Sequence, residues 1–350
     1  MSEAAAGPTA TPRLRWQVDV GAVVTARPLL LAAAGAPVQV VVASHAGRVL
    51  ALATDDGATV FEAWLDGIVW SSPALDPDDR IWVGADDDVL YALDRTGAVL
   101  QRVRLGSCDP PRARGPEGVR CDVDGGPTVM PDGDLLVGAD GVYRLSRAGA
   151  VRWHSPADGV ARHVGTAPLV TGGRVVFGGY DGNLTALAED GTPAWVLPIG
   201  ADVDGDPIAG VTGDIYAGAD DGKLWAVSPE GAARWSFATK APIIAAVAIA
   251  PDGHVLVPST DGTLYALTPG GALAWSFTTG GALAATPTLD RAGHVYVGSR
   301  DDRLYALTPA GKPMWSLEFP GDLDAPVVVT PAGWLIVVGD DGYVRALSEP

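Results

Sequence analysis

The chain has 350 residues, with 24 basic and 42 acidic side chains giving a formal net charge of -18. That charge opposes sequence-independent attraction to a phosphate backbone or an anionic bilayer, so neither nucleic acid nor a membrane is expected as a partner. With 45 Gly and 28 Pro the composition sits near the level at which an unpatterned chain stays disordered, yet 47% is hydrophobic, so a short repeat must organise the apolar share.

The opening residues, MSEAAAGPTATPRLRW, lack a basic n-region followed by an apolar h-region. Cytoplasmic residence is therefore the default expectation, with an exported mature form left open, and residues 1–13 read as a flexible lead. The longest apolar stretch, Leu29 to Ala43, is broken by Gly35, Pro37 and Gln39 and is too short for a membrane-spanning helix.

From Leu14 onward the sequence repeats. GTLYALTPGGALAWSF at 262–277 recurs as DRLYALTPAGKPMWSL, GKLWAVSPEGAARWSF and GNLTALAEDGTPAWVL. The apolar residue closing the "LYAL" element falls at Leu52, Leu93, Leu145, Leu187, Val227, Leu267, Leu307 and Leu347, which makes eight units. Repeat 7 shows the pattern: ATPTLD, HVYVGS, RLYALTP and PMWSLEF alternate apolar and polar residues and are separated by RAG, RDD and AGK. Four short antiparallel strands in about 40 to 45 residues, repeated, describe a β-propeller blade. The expected fold is all-β: one eight-bladed propeller over residues 14–350. The last unit stops at Pro350, before its tryptophan-bearing fourth strand, while LRWQVDVG around Trp16 matches RWSFATK around Trp235. The N-terminal strand is thus expected to complete the eighth blade and remove two free sheet edges.

The pattern DGxLYALxPxGxxxWSF, followed by a small residue and Pro, resembles the pyrroloquinoline-quinone-like propeller repeat over Leu14 to Pro350. The resemblance implies that the outer-strand aromatic docks between neighbouring blades. Trp16, Trp153, Trp195, Trp235, Trp275 and Trp315 fill that position, with Phe61 and Gln101 in the other two units. Quinone-dependent dehydrogenases of this type carry an adjacent Cys-Cys pair and hold calcium with Glu, Asn and Asp. This chain has no adjacent cysteines, and its single asparagine, Asn183, lies in a turn. A quinone enzyme is therefore not expected, nor is a cofactor. What remains is similar to binding-only members such as the scaffold propeller of outer-membrane assembly and the sensor modules of bacterial kinases.

Trp70 falls near the channel mouth. An insertion at 107–124 contains Cys108 and Cys121, expected close enough to pair, with Arg112, Arg114 and Arg120 between them. It either folds back over an acidic channel mouth or is a neutral insertion. His45 reads as a turn residue, His154 and His163 flank a short insertion containing Asp158, and His254 and His294 read as solvated strand ends; no catalytic residue or metal ligand is assigned. Asp202, Asp204 and Asp206 have the alternate spacing of a calcium loop, but Pro207 and Gly213 occupy its glycine and glutamate places. Related strings place Asp122 and Asp124, and Asp322 and Asp324, at the same point of other blades, where turn preference alone also accounts for short acidic residues. Propeller topology puts these connections on one face with the acidic turns between second and third strands. The resulting expectation is a monomeric, non-enzymatic scaffold or sensor presenting an acidic face to a basic protein surface. The alternative is an enzyme, or a small-ligand or cation binder, using the central channel.

Overall fold

The computed structural model describes residues 5–32, 37–106, 122–156 and 163–350. Among these residues every regular element is a strand, and the strands form eight four-stranded antiparallel sheets, the blades of a β-propeller. Blades 1 to 7 occupy residues 29–64, 74–104, 125–155, 169–198, 208–238, 248–278 and 288–318. Blade 8 takes three strands from 328–348 and its fourth from Arg13–Asp19.

Blade 6 shows how the pattern becomes structure. Its inner strand is only Ala248–Ile249, since residues near the axis have little room, and Val255–Pro258 and Thr263–Leu267 are buried throughout. The outer strand Leu273–Thr278 alternates exposed and partly buried residues, as a strand wetted on one side must. The pairing of the two outer strands slips by one residue between Ala266 and Leu267, so that Trp275 lies opposite Ala266 and Leu273 opposite Leu267. Such a bulge re-aims a side chain. The N-terminal strand reproduces it: Trp16 lies opposite Ala346 and Leu14 opposite Leu347, with the slip between them. It therefore takes the place of a fourth strand in register as well as in position.

Hydrophobic clusters fill the seams between blades. Tyr216, Leu224 and Ala226 of blade 5 pack with Val255, Val257 and Leu267 of blade 6. The closing seam joins Trp16, Ile336 and Val344 of blade 8 to Val40, Val42 and Leu50 of blade 1. In every blade but the seventh, the outer-strand ring leans onto the glycine of the next blade's last turn, with Gln101 in its place in blade 2. Gly271 has a φ of 83°, and a Cβ there would fall 2.7 Å from Trp235 Cδ2, so both its conformation and the close approach require glycine. The indole then donates to a carbonyl of that turn: Trp235 Nε1 to Pro269 at 3.0 Å, Trp195 to Pro229 at 3.0 Å, Trp16 to Thr54 at 2.8 Å. Gln101, which replaces tryptophan in blade 2, keeps the polar half of this contact, from Nε2 to Ala148 O at 2.8 Å.

Blade 8 has no such turn, because the chain ends between its third and fourth strands. The lead segment supplies the substitute. Trp315 Nε1 donates to Pro8 O at 3.0 Å, Gly7 N to Asp290 Oδ2 at 2.7 Å, and Thr9 N to Glu349 Oε1 at 2.8 Å. Residues read in the sequence as a flexible lead are thus seated on the ring from Ala5 onward.

If Trp16 fastens the ring, Trp16→Ala should cost roughly 3–5 kcal/mol in urea unfolding, the usual range for a buried tryptophan. Gln101→Ala, at an equivalent but only half-buried place, should cost about 1 kcal/mol or less. Equal costs for the two would show that the eighth blade closes no more tightly than the second.

Candidate functional site

Each connection from one blade to the next carries one apolar anchor: Val24, Val69, Val123, Val164, Val203, Ile243, Leu283 and Leu323, all at most 1% exposed. Backbone bonds stitch the connection to the second-to-third-strand turns on both sides. Val203 N donates to Gly179 O of blade 4, while Asp220 N of blade 5 donates to Asp202 O at 3.0 Å; Leu323 and Asp340 repeat this at blades 7 and 8. With the anchor fixed, its neighbours have set positions. The residue before it lies on the rim (Asp122, Asp202, Asp322). The residue after it lines the mouth of the central channel (Trp70, Asp124, Asp204, Asp324), and the third after it faces the lumen, as Asp206 does. The mouth encloses about 460 Å³.

Three acidic groupings result. Between blades 2 and 3, one oxygen each of Asp86, Asp122 and Asp124 lie within 4.8 Å of one another, a spacing that could hold a cation. Burial, then Asp124 and Asp122, push Asp86 up to about 7, against a hydrogen bond from Trp70. His163 Nε2 stands 3.5 Å from Asp124 Oδ2. Between blades 4 and 5, burial and then Asp220 push Asp204 up to about 6, with Tyr180 and His163 pulling it back. Asp202 and Asp220 are raised by burial and then, respectively, by Asp181 and Asp202. Between blades 7 and 8, burial, Asp324 and Asp322 push Asp340 up to about 6. Here Arg300 holds Asp324 through both oxygens, from Nε at 3.0 Å and Nη2 at 2.8 Å. In all three, carboxylates face carboxylates more than they face cations.

Not every acidic turn residue belongs to this field. Tyr265 donates to Asp261 at 2.7 Å, Tyr305 to Asp301 at 2.6 Å and Tyr143 to Asp140 at 2.6 Å; Tyr91 and Arg345 do the same for Asp87 and Asp341. These aspartates brace the turn against the third strand. Trp70 is half-exposed, packed 3.9 Å from the ring of His45.

On the opposite face three buried carboxylates, Asp76, Asp134 and Asp290, are held below the ordinary range. Burial alone would raise Asp76, but Trp82, the Arg80 backbone and the Arg80 guanidinium hold it below the ordinary range. Asp134 is held down against burial by Arg152 and Arg144, and Asp290 by the Gly7 amide and His294. This corrects the reading of His254 and His294 as solvated strand ends: their Nδ1 atoms lie 2.8 Å from Asp252 and 2.9 Å from Asp290. At this repeat position Arg80, His254 and His294 each stand beside a turn carboxylate. Cys108, Cys121, Arg112, Arg114, Arg120 and Asp158 lie outside the described residues.

The family described as outer membrane protein assembly factor BamB matches residues 4–107, 86–245 and 260–349. The chain belongs to this family. Among solved structures, BamB from Moraxella catarrhalis superposes with a TM-score of 0.72 at 20% identity, covering 97% of this chain and 98% of that one. The computationally designed Ika8 protein superposes with a TM-score of 0.75 at 14% identity, covering 94% and 97%. At these identities both show the fold alone. No curated protein matches. The BamB family assignment overturns the cytoplasmic expectation, because the family is that of an outer membrane protein assembly factor. The expectation leaned on a missing leader pattern, and leaders are removed from mature proteins without trace in the fold. No helix among the described residues is long and apolar enough to cross a membrane.

The two faces should respond oppositely to pH. Asp86, Asp204, Asp206 and Asp340 have folded pKa values of about 6 to 7, above the unfolded 3.8, so the folded state binds more protons in between. Stability should therefore fall as pH rises from about 4 to 7. Asp76, Asp134 and Asp290 are depressed, so their contribution is lost as pH falls below about 4. Calorimetry should find the highest Tm at mildly acidic pH, with Asp204→Asn raising Tm at pH 7.5 and flattening its decline. A Tm that climbs steadily from pH 5 to 7.5 would contradict the assignment.

Proposed function

We propose that this propeller is a non-enzymatic scaffold that presents its connection face to a basic surface on a protein partner. The observation that supports the reading is the contrast between faces. Asp76, Asp134 and Asp290 on the side opposite the connections are held down by their hydrogen-bond and charge partners, whereas the carboxylates around Asp86, Asp204 and Asp340 are raised by one another. Turn preference explains short acidic residues but not the mutual raising of those around Asp204 and Asp340. A partner bearing lysine and arginine relieves that repulsion, and encounter between opposite fields is fast. Kinship with an outer membrane protein assembly factor supports a protein partner. The rigid stitched connections suit docking without rearrangement.

The test begins by capturing partners of the full chain from its host and measuring association kinetics with the one retained. Replacing Asp202, Asp204 and Asp322 together by Asn should slow association about ten-fold at low salt and flatten its dependence on ionic strength. Replacing Glu189, Glu230 and Asp252 on the other face should change neither. If the second set abolishes binding while the first leaves it unmoved, the connection face is not the docking face.

A further inference from the structure

The lumen below the acidic mouth has a different character. Counting three residues past each anchor gives the ring that faces the lumen. Six of its members are uncharged: Ser72, Gly126, Ala167, Ala246, Thr286 and Pro326. The other two are Arg27, in the connection entering blade 1, and Asp206, in that entering blade 5. In a ring of eight, blades 1 and 5 are diametrically opposed. The lumen therefore carries one positive pole and one negative pole, facing each other across a space walled by small side chains.

From this we propose that the lumen binds a small zwitterion of the amino-acid type, its carboxylate received by Arg27 and its ammonium group by Asp206. Neither pole is otherwise completed. Asp206 accepts from Ala167 N at 2.7 Å, and among the described residues no cation stands within ion-pair distance of it. The Arg27 backbone is held by its N–H to Ser72 Oγ at 3.0 Å, while its guanidinium makes no hydrogen bond or ion pair among the described residues. Both side chains are open to the lumen yet surrounded by protein. Burial accordingly lowers Arg27 and pushes Asp206 up to about 6, each only partly offset by the other's charge and, for Asp206, by the Ala167 amide. Two incompletely solvated, opposite charges that attract but do not close leave a gap that a molecule carrying both signs completes at once. A simple cation meets Arg27. A simple anion must pass Asp124 and Asp204 and then meet Asp206. The cavity, about 460 Å³ with its mouth, is of a size that holds small ligands. This reading is independent of the docking proposed for the outer face.

The gap can be measured with a molecular ruler. Calorimetric titration of the full chain at low ionic strength would use glycine, β-alanine, γ-aminobutyrate and ε-aminocaproate, with propionate and propylamine as single-charge controls. One length should bind saturably, one to one, and better than its neighbours, while the controls should not bind. Arg27→Gln and Asp206→Asn should each weaken that binding about ten-fold or more, and the exchanged pair Arg27→Asp with Asp206→Arg should restore it with the ligand reversed. No binding of any zwitterion at about 10 mM, equal binding of the single-charge controls, or affinity unmoved by the single substitutions would overturn the proposal. The comparison of ligands needs no variant, so a substitution that fails to fold does not blunt it.

Discussion

No blade of this ring is complete alone. Each outer strand ends its burial by laying an aromatic ring, or in blade 2 a glutamine, on the glycine turn of the next blade, or in blade 7 on the lead segment around Pro8, so the fold is a closed chain of like dependencies. Closure is what makes the rest possible. It fixes the eight apolar anchors of the connections, and these in turn fix which residues stand on the rim, at the mouth and in the lumen. The break in the covalent chain falls inside blade 8, where the strand carrying Trp16 and the segment around Pro8 replace two features that the C-terminal repeat lacks. Closing the ring by hydrogen bonding within one blade, instead of between two blades, spreads the closure over a whole strand pair.

The repeat made the fold legible. Landmarks such as Leu267 and Trp275 recur because a four-stranded blade must present the same apolar edge to both neighbours, and the match of LRWQVDVG to later units pointed to the clasp. The bulge beside Trp16 was not readable, because a one-residue slip depends on pairing between strands that are far apart in sequence. Nor was the seating of residues 5–12, whose partners Asp290, Trp315 and Glu349 lie at the other end of the chain.

The site was legible by type but not by pairing. Asp122, Asp124, Asp202, Asp204, Asp322 and Asp324 do stand on the connections, but the sequence could not say that Arg300 claims Asp324 or that Asp86 joins Asp122 and Asp124. It also treated the acidic turns as one population. Tyrosine four residues on, as in Asp261 with Tyr265 and Asp301 with Tyr305, was the available sign that some of them are structural. Arg27 escaped notice because it is the only basic residue at a position occupied elsewhere by small or acidic ones, and the anchor that reveals the alignment is an ordinary valine.

The central claim is that Asp86, Asp204 and Asp340 on one face are raised by neighbouring carboxylates while Asp76, Asp134 and Asp290 on the other are held down by their partners. The most direct measurement is a titration of the aspartate side-chain carboxyl carbons by NMR, residue by residue. The account predicts that Asp86, Asp204 and Asp340 titrate near 6 to 7, with Asp76, Asp134 and Asp290 below the ordinary aspartate range. Titration of both groups together near the ordinary value of about 4 would mean that the two faces do not differ, and would remove the basis for the docking face.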